Sequence, residues 1–196
     1  MARGTNKKRI LDAGLSLLYA KGYNATGIQD IADAAGVPKG SFYNYFKSKE
    51  EFATEVIRHY TQQTVLFLEN HLTDGDINRL TRMRSVLDYW AKNMFSEYQG
   101  FGCLVGNITQ EMGNQSAKIQ LEAKEDFSRL EACFIACLKE AKEQGEIPSG
   151  IDVKKLGTFI YNGWQGALVR SKSEGNGNQL EDYVSYVFDT ILPSLT

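Results

Sequence analysis

The 196-residue chain is short of the residues that carry catalysis and cross-linking: it has two histidines, three cysteines and three prolines. An odd, small number of cysteines excludes a disulfide scaffold and suits a reducing cytosol. No apolar run approaches the roughly 18 residues needed to cross a bilayer, and no signal peptide precedes the first charged segment. A cytoplasmic protein with no membrane partner is expected. His59 and His71 stand apart from any cysteine or acid cluster at ligand spacing, and no glycine-rich loop precedes a Lys-Ser/Thr pair. Neither a catalytic constellation nor a metal or cofactor site is therefore expected. The scarcity of proline leaves long stretches free to be helical.

What is present is 42% hydrophobic and 23% charged, the balance of a globular protein. The net charge of −2 hides an asymmetry. Residues 1–50 hold eight Lys/Arg against four acids, and the remainder holds 14 against 20. A basic first quarter on an acidic body is the pattern of a chain that meets a polyanion at one end.

Ile10, Ala13, Gly14, Leu17 and Leu18 fall on one stripe of a helix from about Asn6 to Lys21, closed by Gly22. "ATGIQDIADAAG" then opens a short helix through Thr26 with Gln29, or through Gly27 with Asp30, as a capping box. Ile28, Ile31, Ala32 and Ala35 face inward, and Gly36 ends the helix. Pro38 suits the first turn of another helix. Ser48, Lys49, Glu50 and Glu51 form a further capping box that starts a long helix to about His71. Helix, short helix, glycine turn and short helix make a helix-turn-helix.

In "GVPKGSFYNYFKSKEEF" Phe42 and Phe46 lie one turn apart and are expected to pack on the two preceding helices. Lys39, Ser41, Tyr43 and Asn44 lie on other faces and offer donors and a flat phenol suited to base edges and phosphates. Lys49 begins the next helix, where the exposed N–H groups already favour an anion.

"GYNATGIQDIADAAGVPKGSFYNYFKSKEEF" closely resembles the DNA-binding domain of the tetracycline-repressor (TetR) family of bacterial regulators, over roughly residues 6 to 55. The resemblance implies that the third helix enters the major groove. Lys39 and Gly40 are then base-proximal and Ser41 touches a phosphate or a base. Tyr43, Asn44, Tyr45 and Lys49 become phosphate contacts, and Gln29 a groove contact from the second helix. Tyr45 is also spaced for a half-buried core role. Where the family usually has Ser or Thr, this chain has Gly27, which retains only its backbone N–H; Thr26 is the alternative cap and contact.

Beyond residue 72 the pattern stays helical. Thr73-Asp74-Gly75-Asp76 is a turn, and a helix runs on to about Tyr98 before Gly100 and Gly102. Further helices run from Cys103 to Gly113, from Ser116 to Gln144-Gly145, from Asp152 to Lys172 and from Leu180 to Leu192. The expected architecture is all-α with about nine helices. Residues 1–50 form a three-helix helix-turn-helix domain, and 51–196 a larger helical ligand-binding and dimerisation domain.

Phe67, Trp90, Met94, Phe101, Leu104, Phe127, Tyr161 and Trp164, with Asn107 and Gln165 as polar anchors, suit a mostly apolar ligand pocket, although each also suits plain core. Phe159, Ile160, Gly163 and Ala167, with Val184, Val187, Phe188 and Ile191, form two stripes that suit either an intrachain core or a homodimer. The family resemblance implies the dimer. Cys103, at a helix start after Gly102, is similar to the sensing cysteine of the N-ethylmaleimide-reductase repressor branch, and equally suits an inert small hydrophobe. Cys133 and Cys137 fit a helix face and its core. The resemblance thus implies a transcriptional repressor of double-stranded operator DNA, released by a small-molecule or thiol-reactive inducer. An activator is the alternative, and a helical enzyme with an incidental basic N-terminus a more remote one.

Overall fold

The structure, a computed structural model, describes residues 2–73, 77–96, 100 and 102–195, the side chains of 2–5 excepted. Among the described residues there is no strand. Nine α-helices follow in order: α1 (Ala2–Lys21), α2 (Ile28–Ala35), α3 (Lys39–Tyr43), α4 (Lys49–Leu72), α5 (Arg79–Asn93), α6 (Leu104–Met112), α7 (Ala117–Glu143), α8 (Val153–Glu174) and α9 (Asn178–Tyr186). A π-helical turn (Val187–Ile191) and a 3-10 turn (Pro193–Leu195) close the chain. α5 stops at Asn93, short of the expected Tyr98, which lies outside the described residues, as do Asp74, Gly75, Asp76 and Phe101.

The chain forms two compact units. The first comprises Met1–Gln63 with Leu104–Phe127, and the second Thr64–Cys103 with Ser128–Thr196. The first unit thus reaches past residue 50, taking in the beginning of α4, all of α6 and the start of α7.

In the first unit α1 lies close against α4 because Gly14 has no side chain: a β-carbon there would fall 2.0 Å from the Phe52 ring. Phe42, Phe46 and Phe52 form a three-ring cluster with centroids 5.0 to 5.3 Å apart, all three sealed from solvent. Burying such a ring contributes roughly 1.5–3 kcal/mol, which is why a five-residue α3 holds its place. Gly36 ends α2 in a left-handed conformation, φ +63°. Its N–H donates to the Asp33 carbonyl, and that of Val37 to the Ala32 carbonyl, both at 3.0 Å. A residue with a β-carbon would be strained at this φ and would also crowd the Arg9 guanidinium. At the start of α4 the Ser48 hydroxyl accepts the Glu51 N–H at 3.1 Å, and the Glu51 carboxylate accepts the Lys47 N–H at 2.9 Å. Further along α4, Arg58 forks onto the buried Glu122 of α7, its Nε 2.9 Å from Oε1.

In the second unit Leu68, Leu72, Met83, Leu87, Phe134, Leu138, Ile160, Trp164, Leu180 and Val184 form the core. Carboxylates cap two of its helix starts, those of α5 and α8. Glu146 accepts the Arg79 and Leu80 N–H groups at 2.9 and 3.0 Å, and Asp152 accepts those of Lys154 and Lys155 at 3.1 and 3.2 Å. α9 packs on α8, where the Tyr183 hydroxyl donates to the Ile160 carbonyl and the Tyr183 ring occupies the space left by Gly163.

Candidate nucleic-acid interface

α3 is short, but its two sides differ completely. Phe42 and Phe46 are 0% and 1% exposed, whereas Tyr43 is 52% exposed and Lys39, Gly40 and Asn44 are open to solvent. Ser41 and Tyr45 are half-buried. Buried phenylalanines anchor the helix, and the exposed side carries a cation, a phenol and an amide within about one helical turn. Those are the groups that donate to phosphates and base edges.

Gly40 stands out on that side. Its φ is not in the left-handed region, and a β-carbon there would meet no atom of the chain within 4 Å. The fold does not need a glycine here. A glycine inside a helix costs roughly 0.5–1 kcal/mol relative to alanine, and no contact inside the chain offsets that cost.

The flanking elements add charge and exposed amides. α2 starts at Gly27, whose N–H donates to the Asp30 carboxylate at 2.8 Å, so the Gly27/Asp30 pair opens this helix rather than Thr26/Gln29. The expected role of Thr26 is corrected here. Its side chain is fully buried and its hydroxyl donates to the Gly22 carbonyl at 2.7 Å, stapling the end of α1; it caps nothing and offers no group to a duplex. Gln29 is exposed on α2, its amide donating to Asp33 at 2.8 Å.

Lys49 begins α4 half-buried, its Nζ 4.2 Å from the centroid of the Tyr23 ring. Burial lowers its pKa, while the charges of Glu111 and Asp30 hold it up. The phenol of Tyr23 is itself pushed up, first by burial and then by Glu50. Glu111 is a residue that sequence reasoning missed. From α6 its carboxylate accepts the backbone N–H groups of Tyr23 and Asn24, at 2.9 and 2.8 Å. Nothing local marks it, because its partners lie 88 and 87 residues away.

The residues expected to line a ligand pocket divide between the units. Leu104, Asn107 and Phe127 belong to the first unit, where Leu104 is fully buried. Phe67, Trp90, Met94, Cys103, Tyr161, Trp164 and Gln165 belong to the second; Phe101 lies outside the described residues. In the second unit Phe67 stacks on Trp90 with centroids 5.7 Å apart, and Trp90 meets Trp164 at 6.1 Å. His71, Tyr89 and Tyr183 extend this aromatic row and were not foreseen. Burial drives the phenol pKa of Tyr161 far above its ordinary value. The charge of Cys103 adds to this, the polar side chain of Gln165 opposes it, and Glu131 and Cys133 contribute less. Cys103 is itself buried.

The expected dimer stripe also needs correction. Ile160, Val184 and Val187 are at most 1% exposed, already covered by their own chain, so they have no surface for a second copy. Phe159 of that stripe is more than half exposed, as are Val169 on α8 and Tyr186 on α9. Gly163, Ala167, Phe188 and Ile191 are partly exposed. Gly166 is open, with no atom of the chain near its missing β-carbon.

Two family models match the chain: bacterial regulatory proteins of the tetR family over residues 10–56, and the tetracyclin repressor-like C-terminal domain over residues 80–187. The HTH-type transcriptional repressor DhaR of Mycobacterium sp. (strain GP1) is 32% identical over 194 residues, spanning 99% of this chain and 96% of DhaR. Among solved structures, the regulatory protein TetR from Rhodobacter sphaeroides superimposes with a TM-score of 0.84 at 31% identity, over 93% of this chain and 96% of that one. Escherichia coli NemR in its reduced form gives a TM-score of 0.85 at 23% identity, over 93% and 94%, a likeness of fold.

Proposed function

Because this chain belongs to the TetR family of bacterial regulatory proteins, DNA-binding transcriptional regulators rather than enzymes, we propose that it is a repressor released from its operator by an inducer. One observation carries this reading: the two-sided segment from α3 to Phe46, with Phe42 and Phe46 locked inside and Lys39, Gly40, Tyr43 and Asn44 turned out. Residues 1–50 read DNA and 51–196 bind ligand and dimerise. Lys39 and Gly40 approach bases, and Ser41, Tyr43, Asn44, Tyr45 and Lys49 hold phosphates. Gln29 and the α2 start at Gly27 touch the neighbouring backbone. One such module makes few contacts, so two copies bind half-sites about one helical turn apart. The exposure of Phe159, Val169 and Tyr186, with an open Gly166 on α8, is what supports the α8–α9 face as the homodimer contact. A DNA partner supports a cytoplasmic location.

The inducer is a small molecule, or a thiol-reactive one acting at Cys103, held in the body beside the Phe67–Trp90–Trp164 row with Tyr161 and Gln165 as its polar partners. The apolar, aromatic character of that row favours an apolar ligand with a single polar group. DhaR is named as a repressor, which supports the sign of the effect here.

The test is selection of bound fragments from genomic DNA by the full-length protein, followed by affinity measurement across salt concentrations. Tyr43→Ala is expected to weaken the selected site at an unchanged salt slope, because a phenol carries no charge, and Lys39→Ala to weaken it and flatten its salt dependence by about one charge. A variant that binds with undiminished affinity and slope refutes the assignment of α3 as the reading helix. Adding an electrophile to wild type and to Cys103→Ser tests the thiol: release that persists in the serine variant rules it out.

A further inference from the structure

We infer that Glu111, on α6 and more than sixty residues along the chain from the DNA-reading segment, is a positioning residue for operator binding. Its carboxylate holds the turn before α2 in the conformation that sets Lys49 for a phosphate. The inference rests on the DNA-reading role proposed above for the first unit.

Both oxygens of Glu111 are spent on backbone donors. Oε1 accepts the Tyr23 N–H at 2.9 Å and Oε2 the Asn24 N–H at 2.8 Å. A carboxylate accepting two amides in a fork is a strong, directional tie, because charge-assisted hydrogen bonds are about twice as strong as neutral ones. The turn it grips, residues 22–25, leads directly into α2. The carboxylate also fills the space beside Gly22, where a β-carbon would fall 2.3 Å from Oε1; this turn and this acid fit each other.

Fixing Tyr23 fixes more than a loop. Its ring lies under the ammonium of Lys49, 4.2 Å from the centroid, so the rotamer of the lysine depends on where that ring stands. The next residue, Glu50, accepts a hydrogen bond from Ser116, and the Ser116 hydroxyl in turn accepts the Ile119 N–H at 3.0 Å at the start of α7. Residues 111 to 116 therefore hold two places at once: the turn before α2, through Glu111, and the start of α4, through Ser116. Glu111 touches no base or phosphate itself. Its effect is to spare the duplex the work of ordering the turn and Lys49 when it binds.

The experiment compares Glu111→Ala and Glu111→Gln with wild type in the full-length protein, against the operator selected by wild type. Stoichiometric titration gives the active fraction separately from the affinity, and amide exchange follows Tyr23 and Asn24. In Glu111→Ala we expect affinity about tenfold weaker at an unchanged active fraction, an unchanged salt slope, and faster exchange of those two amides. Glu111→Gln keeps one acceptor oxygen at the same reach, so its affinity should lie between the two. If the alanine variant loses only active fraction, Glu111 is a general stabiliser and the inference is wrong. Equal affinity for all three proteins overturns it as well. If wild type itself selects no site, the regulator reading fails and takes this inference with it, a failure recognisable because no variant is involved.

Discussion

Gly40→Ala separates folding from reading, because the two should move in opposite directions. Inside the chain the new methyl meets nothing within 4 Å, and the backbone is already helical, so no strain opposes it. Replacing an unstrained helical glycine by alanine stabilises by about 0.5–1 kcal/mol, and the lower end applies so near a helix start. For a protein of this size about 0.5 kcal/mol raises Tm by roughly 1–2 °C. Against DNA the same methyl occupies the gap that lets α3 approach the base edges. Overpacking a close interface costs about 1–3 kcal/mol, so specific affinity should fall about tenfold or more. Non-specific affinity, set by phosphate charge, should stay within about twofold. Differential scanning fluorimetry gives the first quantity, and fluorescence anisotropy with the selected operator and a scrambled duplex gives the others. A variant that is more stable yet binds the operator as tightly as wild type, or more tightly, refutes the close approach. A variant that is less stable refutes the claim that the chain has room there.

Phe42→Ala removes the centre of the three-ring cluster and should cost about 3–5 kcal/mol, abolishing operator binding through local unfolding detectable by circular dichroism. Thr26→Val keeps the shape of a fully buried residue but loses its hydrogen bond to the Gly22 carbonyl. It should lower stability by about 1–2 kcal/mol in urea titration and leave the salt slope of DNA binding unchanged; a changed slope would restore Thr26 as a contact. Phe159→Glu places a charge on the exposed α8 side and should shift the protein to monomer in sedimentation while its helicity is retained; a dimer that survives moves the interface elsewhere. Burial pushes the Cys137 thiol from 9.0 up to about 12, with smaller contributions from Glu140 and Glu146, and the Cys133 thiol is raised too. The folded state thus binds the proton more tightly than the unfolded one. Stability is complete below about pH 9 and falls as pH climbs towards 12, losing about 1 kcal/mol from Cys137 at pH 10. A melting temperature that stays flat from pH 8 to 10.5 would contradict this.

Most of the architecture could be read along the chain because it is written in local signals. The 3.6-residue stripes, Gly36, Pro38 and the Ser48 capping box each act within one or two turns, and each stands where it was expected. The alternation of phenylalanines with Lys39, Tyr43 and Asn44 also foretold which side of α3 is anchored, since burial of two rings outweighs any other orientation. Local spacing could not decide between Thr26 and Gly27. The choice depends on the end of α1 reaching back to claim the threonine hydroxyl, after which Asp30 is left to cap through Gly27. For the same reason Ile160, Val184 and Val187 looked available to a partner: a stripe shows that a face is apolar, not which apolar surface covers it.

The amino-acid sequence by itself determined the helices, their order and the two-sided segment at α3, because those follow from periodicity, caps and the cost of exposing aromatic rings. Only the tertiary structure decided that Glu111 grips the turn at Tyr23 and Asn24, that Lys49 rests on a tyrosine, and that the aromatic row runs from His71 through Trp164 to Tyr183. These contacts join residues tens of positions apart, and no local free energy selects them. They form when packed helices bring a carboxylate to two unpaired amides, or one ring to another, and leaving those amides unpaired would cost more than ordering the side chain that serves them.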